Sequence, residues 1–92
     1  MDRLSDEHVA KGLEGRDWHR DGESIVRDWK LADFGAAIAL VNRVAEAAEA
    51  ANHHPDILVH GWNEVRLTLS THSVRGLTSA DLDLAHTIDG LA

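Results

Sequence analysis

Pro55 is the chain's only proline, and it stands just downstream of a long alanine-rich run that begins after Asp33. Across that run Phe34, Ala37, Ile38, Val41, Val44, Ala45 and Ala48 recur at helical spacing and share one stripe. Asn42, Arg43, Glu46 and Glu49 fall on or beside the other faces. Alanine is the best helix former, and Asp33 is a natural N-cap. A proline pushes the residue before it out of the α region, so the helix must end before Pro55. The stretch Asn52-His53-His54-Pro55-Asp56 is therefore a helix exit, with two adjacent imidazoles entering extended chain.

The other elements arrange themselves around this helix. Ser5 to Gly12 reads as a short first helix, with Ser5 as N-cap, acids in the first turn and Gly12 as terminator. Asp17 to Arg20 and Glu23 to Leu31 read as two strands about an Asp21-Gly22 turn, because Gly accepts the positive φ of a tight hairpin. After Pro55, Ile57-Leu58-Val59 starts a third strand and His60-Gly61 is turn-like. Trp62 to Ser70 then alternates, with Val65, Leu67 and Leu69 on one face and Glu64, Arg66, Thr68 and Ser70 on the other. Thr71 to Gly76 is a loop. Thr78-Ser79-Ala80-Asp81 opens a last helix as a capping box, with Asp in place of Glu, and that helix runs through Leu82, Ala85, Ile88 and Leu91. The order is α-β-β-α-β-β-α. It predicts an α+β fold: a four-stranded antiparallel sheet with three helices on one face, the other face open or covered in an oligomer.

Size and charge narrow the function. Ninety-two residues make one domain, 1–92, with a core thin enough that oligomerisation is the expected way to bury more surface. No cysteine is present, which removes disulfides, thiolate zinc sites and thiol nucleophiles and suits a reducing cytoplasm. A net charge of −7 with scattered basic residues disfavours direct nucleic-acid binding. No apolar run approaches the roughly 20 residues of a membrane span, and the first residues do not read as a signal peptide.

Seven histidines in so short a chain are the compositional oddity. Imidazole titrates near neutral pH and moves protons without a large pKa shift. If the last two strands form a hairpin, His72 at the end of one returns to His53 and His54 at the start of the other. Glu49, one helical turn before His53, is placed to orient an imidazole, and Asp81 opens the last helix near the His72 loop. Three histidines and two carboxylates are a suitable set for general acid–base chemistry. Each also has a plainer reading: Glu49 as a solvated helix face, Asp81 as a cap, Trp18 and Trp62 as packing aromatics that could also wall a flat ligand. His8, His19, His60 and His86 read as surface residues. Zinc is the rival use of three imidazoles, but adjacent His53 and His54 should diverge and no HExxH pattern aims two rings from one helix face. No metal is expected.

The combination Glu49-x-x-x-His53-His54-Pro55, then Trp62, His72 and Asp81, resembles the signature of the pterin-4a-carbinolamine dehydratases. Asp33-Phe34, Asn42-Arg43-Val44-Ala45, Thr68-Leu69-Ser70-Thr71-His72 and Gly76-Leu77-Thr78 extend the likeness over the chain from Asp17 onward. Trp62 stands where relatives often carry Tyr, and Val59-His60-Gly61 is one residue longer than in some of them. The resemblance implies a sheet of four antiparallel strands with three helices on one side. It also implies dehydration of 4a-hydroxytetrahydropterin, the product of an aromatic amino-acid hydroxylase, to quinonoid dihydropterin, with pterin as substrate and no cofactor. By the same likeness His53 and His72 are the acid–base pair and His54 binds and polarises the pterin. Glu49 and Asp81 support the histidines, and Trp18 and Trp62 line the substrate. Some relatives are dimerisation partners of a transcription factor or assembly factors without catalysis, so an interaction module is the alternative function.

Overall fold

A computed structural model describes residues 2–91. In chain order it contains α1 (Asp6–Leu13), β1 (His19–Asp21), β2 (Ser24–Lys30), α2 (Phe34–Ala51), β3 (Asp56–His60), β4 (Glu64–Leu69) and α3 (Ser79–Asp89), with a short 3₁₀ turn at His72–Val74. The strands form one antiparallel sheet in the order β1-β2-β4-β3. The α+β fold and the element order expected from the sequence are both present.

Register decides which side chains meet the helices. Ile25, Arg27 and Trp29 of β2 lie opposite Leu69, Leu67 and Val65 of β4, and Leu67 and Val65 lie opposite Ile57 and Val59 of β3. Directly opposed residues share a face, so these make the covered side of the sheet. Ile25, Val65, Leu67 and Leu69 are fully buried against Val9 of α1, Ala37, Leu40, Val44 and Ala48 of α2, and Leu84, Ala85 and Ile88 of α3. The other face carries Asp28, Lys30, Leu58, His60 and Arg66, all exposed. There Arg66 binds both oxygens of Asp28 at 2.8 and 3.1 Å, and this pairing holds the Asp28 carboxyl below its ordinary 3.8.

Three local expectations are corrected. The apolar stripe of α2 is rotated by roughly 50° from the one read in the sequence, at 100° per residue. Leu40 is buried, Ile38 and Val41 are half-buried, and Phe34 is 54% exposed. With alanines on every side, two neighbouring sectors of this helix are apolar, and only packing chooses between them. Gly12 does not end α1, which continues to Leu13. Gly12 sits where α1 crosses α3, and a Cβ there would meet a methyl of Leu82 at 2.7 Å. The first hairpin turns on Gly22-Glu23, since Asp21 is still paired with Ser24, and Gly22 takes the positive φ of 61°.

The helix exit before Pro55 is made by Asn52. It closes α2 in the left-handed conformation, φ 49° and ψ 42°. The Asn52 N–H donates to Glu49 O and the His53 N–H to Ala48 O, each at 3.1 Å. These are the paired bonds of a Schellman motif, and Asn tolerates the left-handed region better than other side chains. Asn52→Val is expected to cost about 1–2 kcal/mol, because a β-branched residue is strained there, while Asn52→Gly stays near wild type. Urea unfolding of the two variants checks this.

Candidate active site

The end of α2, the start of β3 and the chain leaving β4 converge because β3 and β4 are antiparallel neighbours, with Asp56 opposite Thr68. A cavity of about 250 Å³ lies at this corner, lined by Asn52, His53, His54, Ser70, Thr71, His72 and Ser73. The three histidines singled out in the sequence therefore share one cavity. Every residue lining it is polar, so it offers a ligand hydrogen-bonding groups rather than an apolar wall.

Each of the adjacent imidazoles has its own carboxylate. The Nε2 of His53 lies 2.6 Å from Asp81 Oδ1, and that of His54 lies 2.6 Å from Glu49 Oε1. The Schellman exit and the extended chain at Pro55 send the two rings to different partners. Glu49 thus serves His54 rather than His53, from which it was counted in the sequence. The two pairs differ in environment. Asp81 is completely buried and the His53 side chain is 15% exposed, whereas His54 and Glu49 are both exposed at the rim. His72 opens the 3₁₀ turn and is exposed.

Asp81 is both a cap and part of the site. Thr78 is the N-cap of α3, and Asp81 completes the capping box by accepting the Thr78 N–H at 2.9 Å on Oδ2. The same oxygen accepts the Thr71 hydroxyl at 2.8 Å. Thr71 was read as loop, and its part in the site is what the sequence reading missed. Its place directly before His72, within the stretch Thr68 to His72 that shares in the family likeness, is the available signal.

The structure does not bring the tryptophans to this cavity. Trp18 is buried in the core, and its indole N–H donates to Asp89 Oδ1 at 2.7 Å. Asp89 is the last residue of α3, eight residues and about 12 Å of helix beyond Asp81. Trp62 is 62% exposed in the turn between β3 and β4, with φ 59°, at the end of the hairpin away from the histidines. It was read as the first residue of a strand. That strand begins at Glu64, because the turn takes Gly61, Trp62 and Asn63. Within one chain neither ring walls the site. His8, His19, His60 and His86 also lie outside the cavity lining.

Comparison with known proteins places the whole described chain. The family model for pterin 4 alpha carbinolamine dehydratase matches residues 2–91. A protein of Nocardia farcinica provisionally named a pterin-4-alpha-carbinolamine dehydratase is 57% identical over 90 residues, covering 97% of this chain and 94% of its own. One of Chloroflexus aurantiacus with the same provisional name is 51% identical over 90 residues, covering 97% and 96%. Among solved structures, a transcriptional coactivator/pterin dehydratase from Brucella melitensis superposes with a TM-score of 0.92 at 31% identity, over 99% of each chain. A pterin dehydratase-like protein identified as a RuBisCO assembly factor in the alpha-carboxysome shares the fold, at a TM-score of 0.66 and 21% identity over 82% of this chain and 86% of that one.

Proposed function

We propose that this chain, which belongs to the pterin 4 alpha carbinolamine dehydratase family, removes water from a 4a-hydroxytetrahydropterin to give quinonoid dihydropterin. The observation that supports this reading best is three imidazoles on one cavity, two of them already held by carboxylates. The reaction breaks the C4a–O bond, delivers a proton to the departing hydroxyl, and removes one from the neighbouring ring nitrogen. It changes no oxidation state, so two positioned proton carriers suffice, and neither metal nor redox cofactor is needed.

His53 and His72 act as the acid–base pair, and His54 binds and polarises the pterin from the rim. Asp81 and Glu49 orient His53 and His54. The roles of acid and base belong to the set rather than to one ring. The substrate comes from an aromatic amino-acid hydroxylase, whose pterin product this chain returns to use. Stopped-flow ultraviolet spectroscopy of 4a-hydroxytetrahydropterin tests the activity. Acceleration over the uncatalysed reaction supports it, and a folded protein that gives none overturns it.

Self-association accompanies the activity. Phe34 on α2, together with Ile57 and Leu58 on the edge strand β3, is exposed, and a chain this small gains stability by covering such surface. Among the described residues no helix is long and apolar enough to cross a membrane. A homodimer or homotetramer in sedimentation equilibrium is the expected state. An inactive chain that binds only a different protein would favour the interaction-module function instead.

A further inference from the structure

Thr71, Thr78 and Asp81 are buried together, and their hydrogen bonds have a determinate order. Thr71 Oγ1 donates to Asp81 Oδ2 at 2.8 Å, which uses its one hydrogen. The 2.9 Å bond between Thr71 Oγ1 and Thr78 Oγ1 is therefore donated by Thr78. Thr78 Oγ1 accepts in turn from the Ala80 N–H at 3.3 Å. With the Thr78 N–H also on Oδ2 at 2.9 Å, that oxygen has two donors, and Oδ1 is left facing His53 Nε2 at 2.6 Å. A carboxylate only accepts, so the hydrogen of this last bond belongs to the ring. The other ring nitrogen, Nδ1, has no partner among the described residues and is not one of the buried unpartnered atoms.

We infer that Thr71 is a positioning residue: its hydroxyl fixes the rotation of the Asp81 carboxylate, which holds neutral His53 as the Nε2–H tautomer and leaves Nδ1 as the nitrogen free to take a proton. The Thr78 N–H alone pins Oδ2 at one point, and a carboxylate held at one point can swing. The second donor comes from a different element, the exit of β4, and closes that freedom. Thr71 also precedes His72 directly, so one short segment supplies His72 to the cavity and sets the tautomer of His53 across it. The kinetic consequence rests on the dehydration reading; the tautomer does not.

The test compares wild type, Thr71→Val and Thr71→Ser. Valine keeps the shape and removes the donor, and serine keeps the donor. The ¹⁵N shifts of the His53 ring report its tautomer in the neutral form, independently of activity. The expected result is Nε2–H in wild type, a mixture of tautomers in Thr71→Val, and wild-type shifts in Thr71→Ser. In the assay, kcat falls about 10-fold in Thr71→Val, as loss of one hydrogen bond to a charged group implies, with KM little changed and recovery in Thr71→Ser. Wild-type His53 in the Nδ1–H form, or unchanged shifts in Thr71→Val, overturns the inference. Should the valine variant not fold, Thr71→Ala makes the same comparison, and a wild-type spectrum in the Nδ1–H form overturns the inference without any variant. Expected shifts in a protein that accelerates no dehydration would instead remove the proposed activity and leave the positioning role in place.

Discussion

His72→Ala is expected to lower the catalysed rate of 4a-hydroxytetrahydropterin dehydration by about 10²-fold or more, the usual contribution of one general acid or base. This variant isolates chemistry from folding. His72 is exposed at the start of a three-residue turn, and none of the side-chain hydrogen bonds among the described residues involves it. Its truncation belongs with surface substitutions that change stability by about 0.5 kcal/mol or less. His53→Ala should also abolish most of the rate, but it leaves the buried Asp81 carboxylate without its imidazole partner, so rate and stability fall together there. The comparison is made in stopped flow, with circular dichroism showing that each variant is folded. A loss of only a few-fold in His72→Ala would remove His72 from the proton transfers and leave the task to His53 and His54.

The sequence carried the architecture because its strongest signals are local and periodic. Asp33 begins the helix that must end before Pro55, Thr78-Ser79-Ala80-Asp81 begins the last one, and the alternation of Val65, Leu67 and Leu69 shows which face of β4 is covered. The convergence of His53, His54 and His72 followed from one hairpin, a short-range inference, and the cavity they share has that origin. What the sequence hid depends on tertiary partners. Nothing around Thr71 says that its hydroxyl meets a carboxylate ten residues away, or that Glu49 reaches His54 in preference to His53. The place of the tryptophans was hidden for a related reason. An aromatic on a strand may pack or bind, and the choice for Trp18 rests on Asp89, at the far end of a helix that sequence spacing cannot orient. Arg27 is the sharpest case. Strand alternation puts it on one face with Ile25 and Trp29, as the register does, but nothing in the sequence pairs it with a carboxylate at the end of α3.

That arginine makes Asp89 the residue whose loss should unfold the domain most readily away from the site. Arg27 Nη1 donates to Asp89 Oδ1, the oxygen that also accepts the Trp18 indole N–H. The guanidinium lies 4.4 Å from the centre of the Trp29 ring, and Trp18 meets Trp29 edge to face with centroids 6.1 Å apart. Arg16 adds a longer contact to Asp89 at 3.8 Å. One carboxylate at the end of α3 therefore ties the helix to β2 and to the chain entering β1. Removing it leaves a mostly buried cation with only the longer contact to the exposed Asp17 at 3.5 Å, and leaves the buried Trp18 indole N–H without its acceptor. Asp89→Ala is expected to cost about 3 kcal/mol, the lower end for breaking such a pair, because both partners keep some solvent contact. Pairing it with Arg27→Met removes the stranded charge and should recover much of that loss, since an apolar replacement of both partners is often close to neutral. Urea unfolding of the single and double variants measures the difference. Dehydration per folded molecule should stay near wild type in both, because the lost contact lies at the other end of α3 from Asp81 and His53. A midpoint unchanged by Asp89→Ala would mean that Asp17, the Trp29 ring and solvent suffice to hold Arg27, and that α3 is anchored by Leu84, Ala85 and Ile88 without help from its last residue.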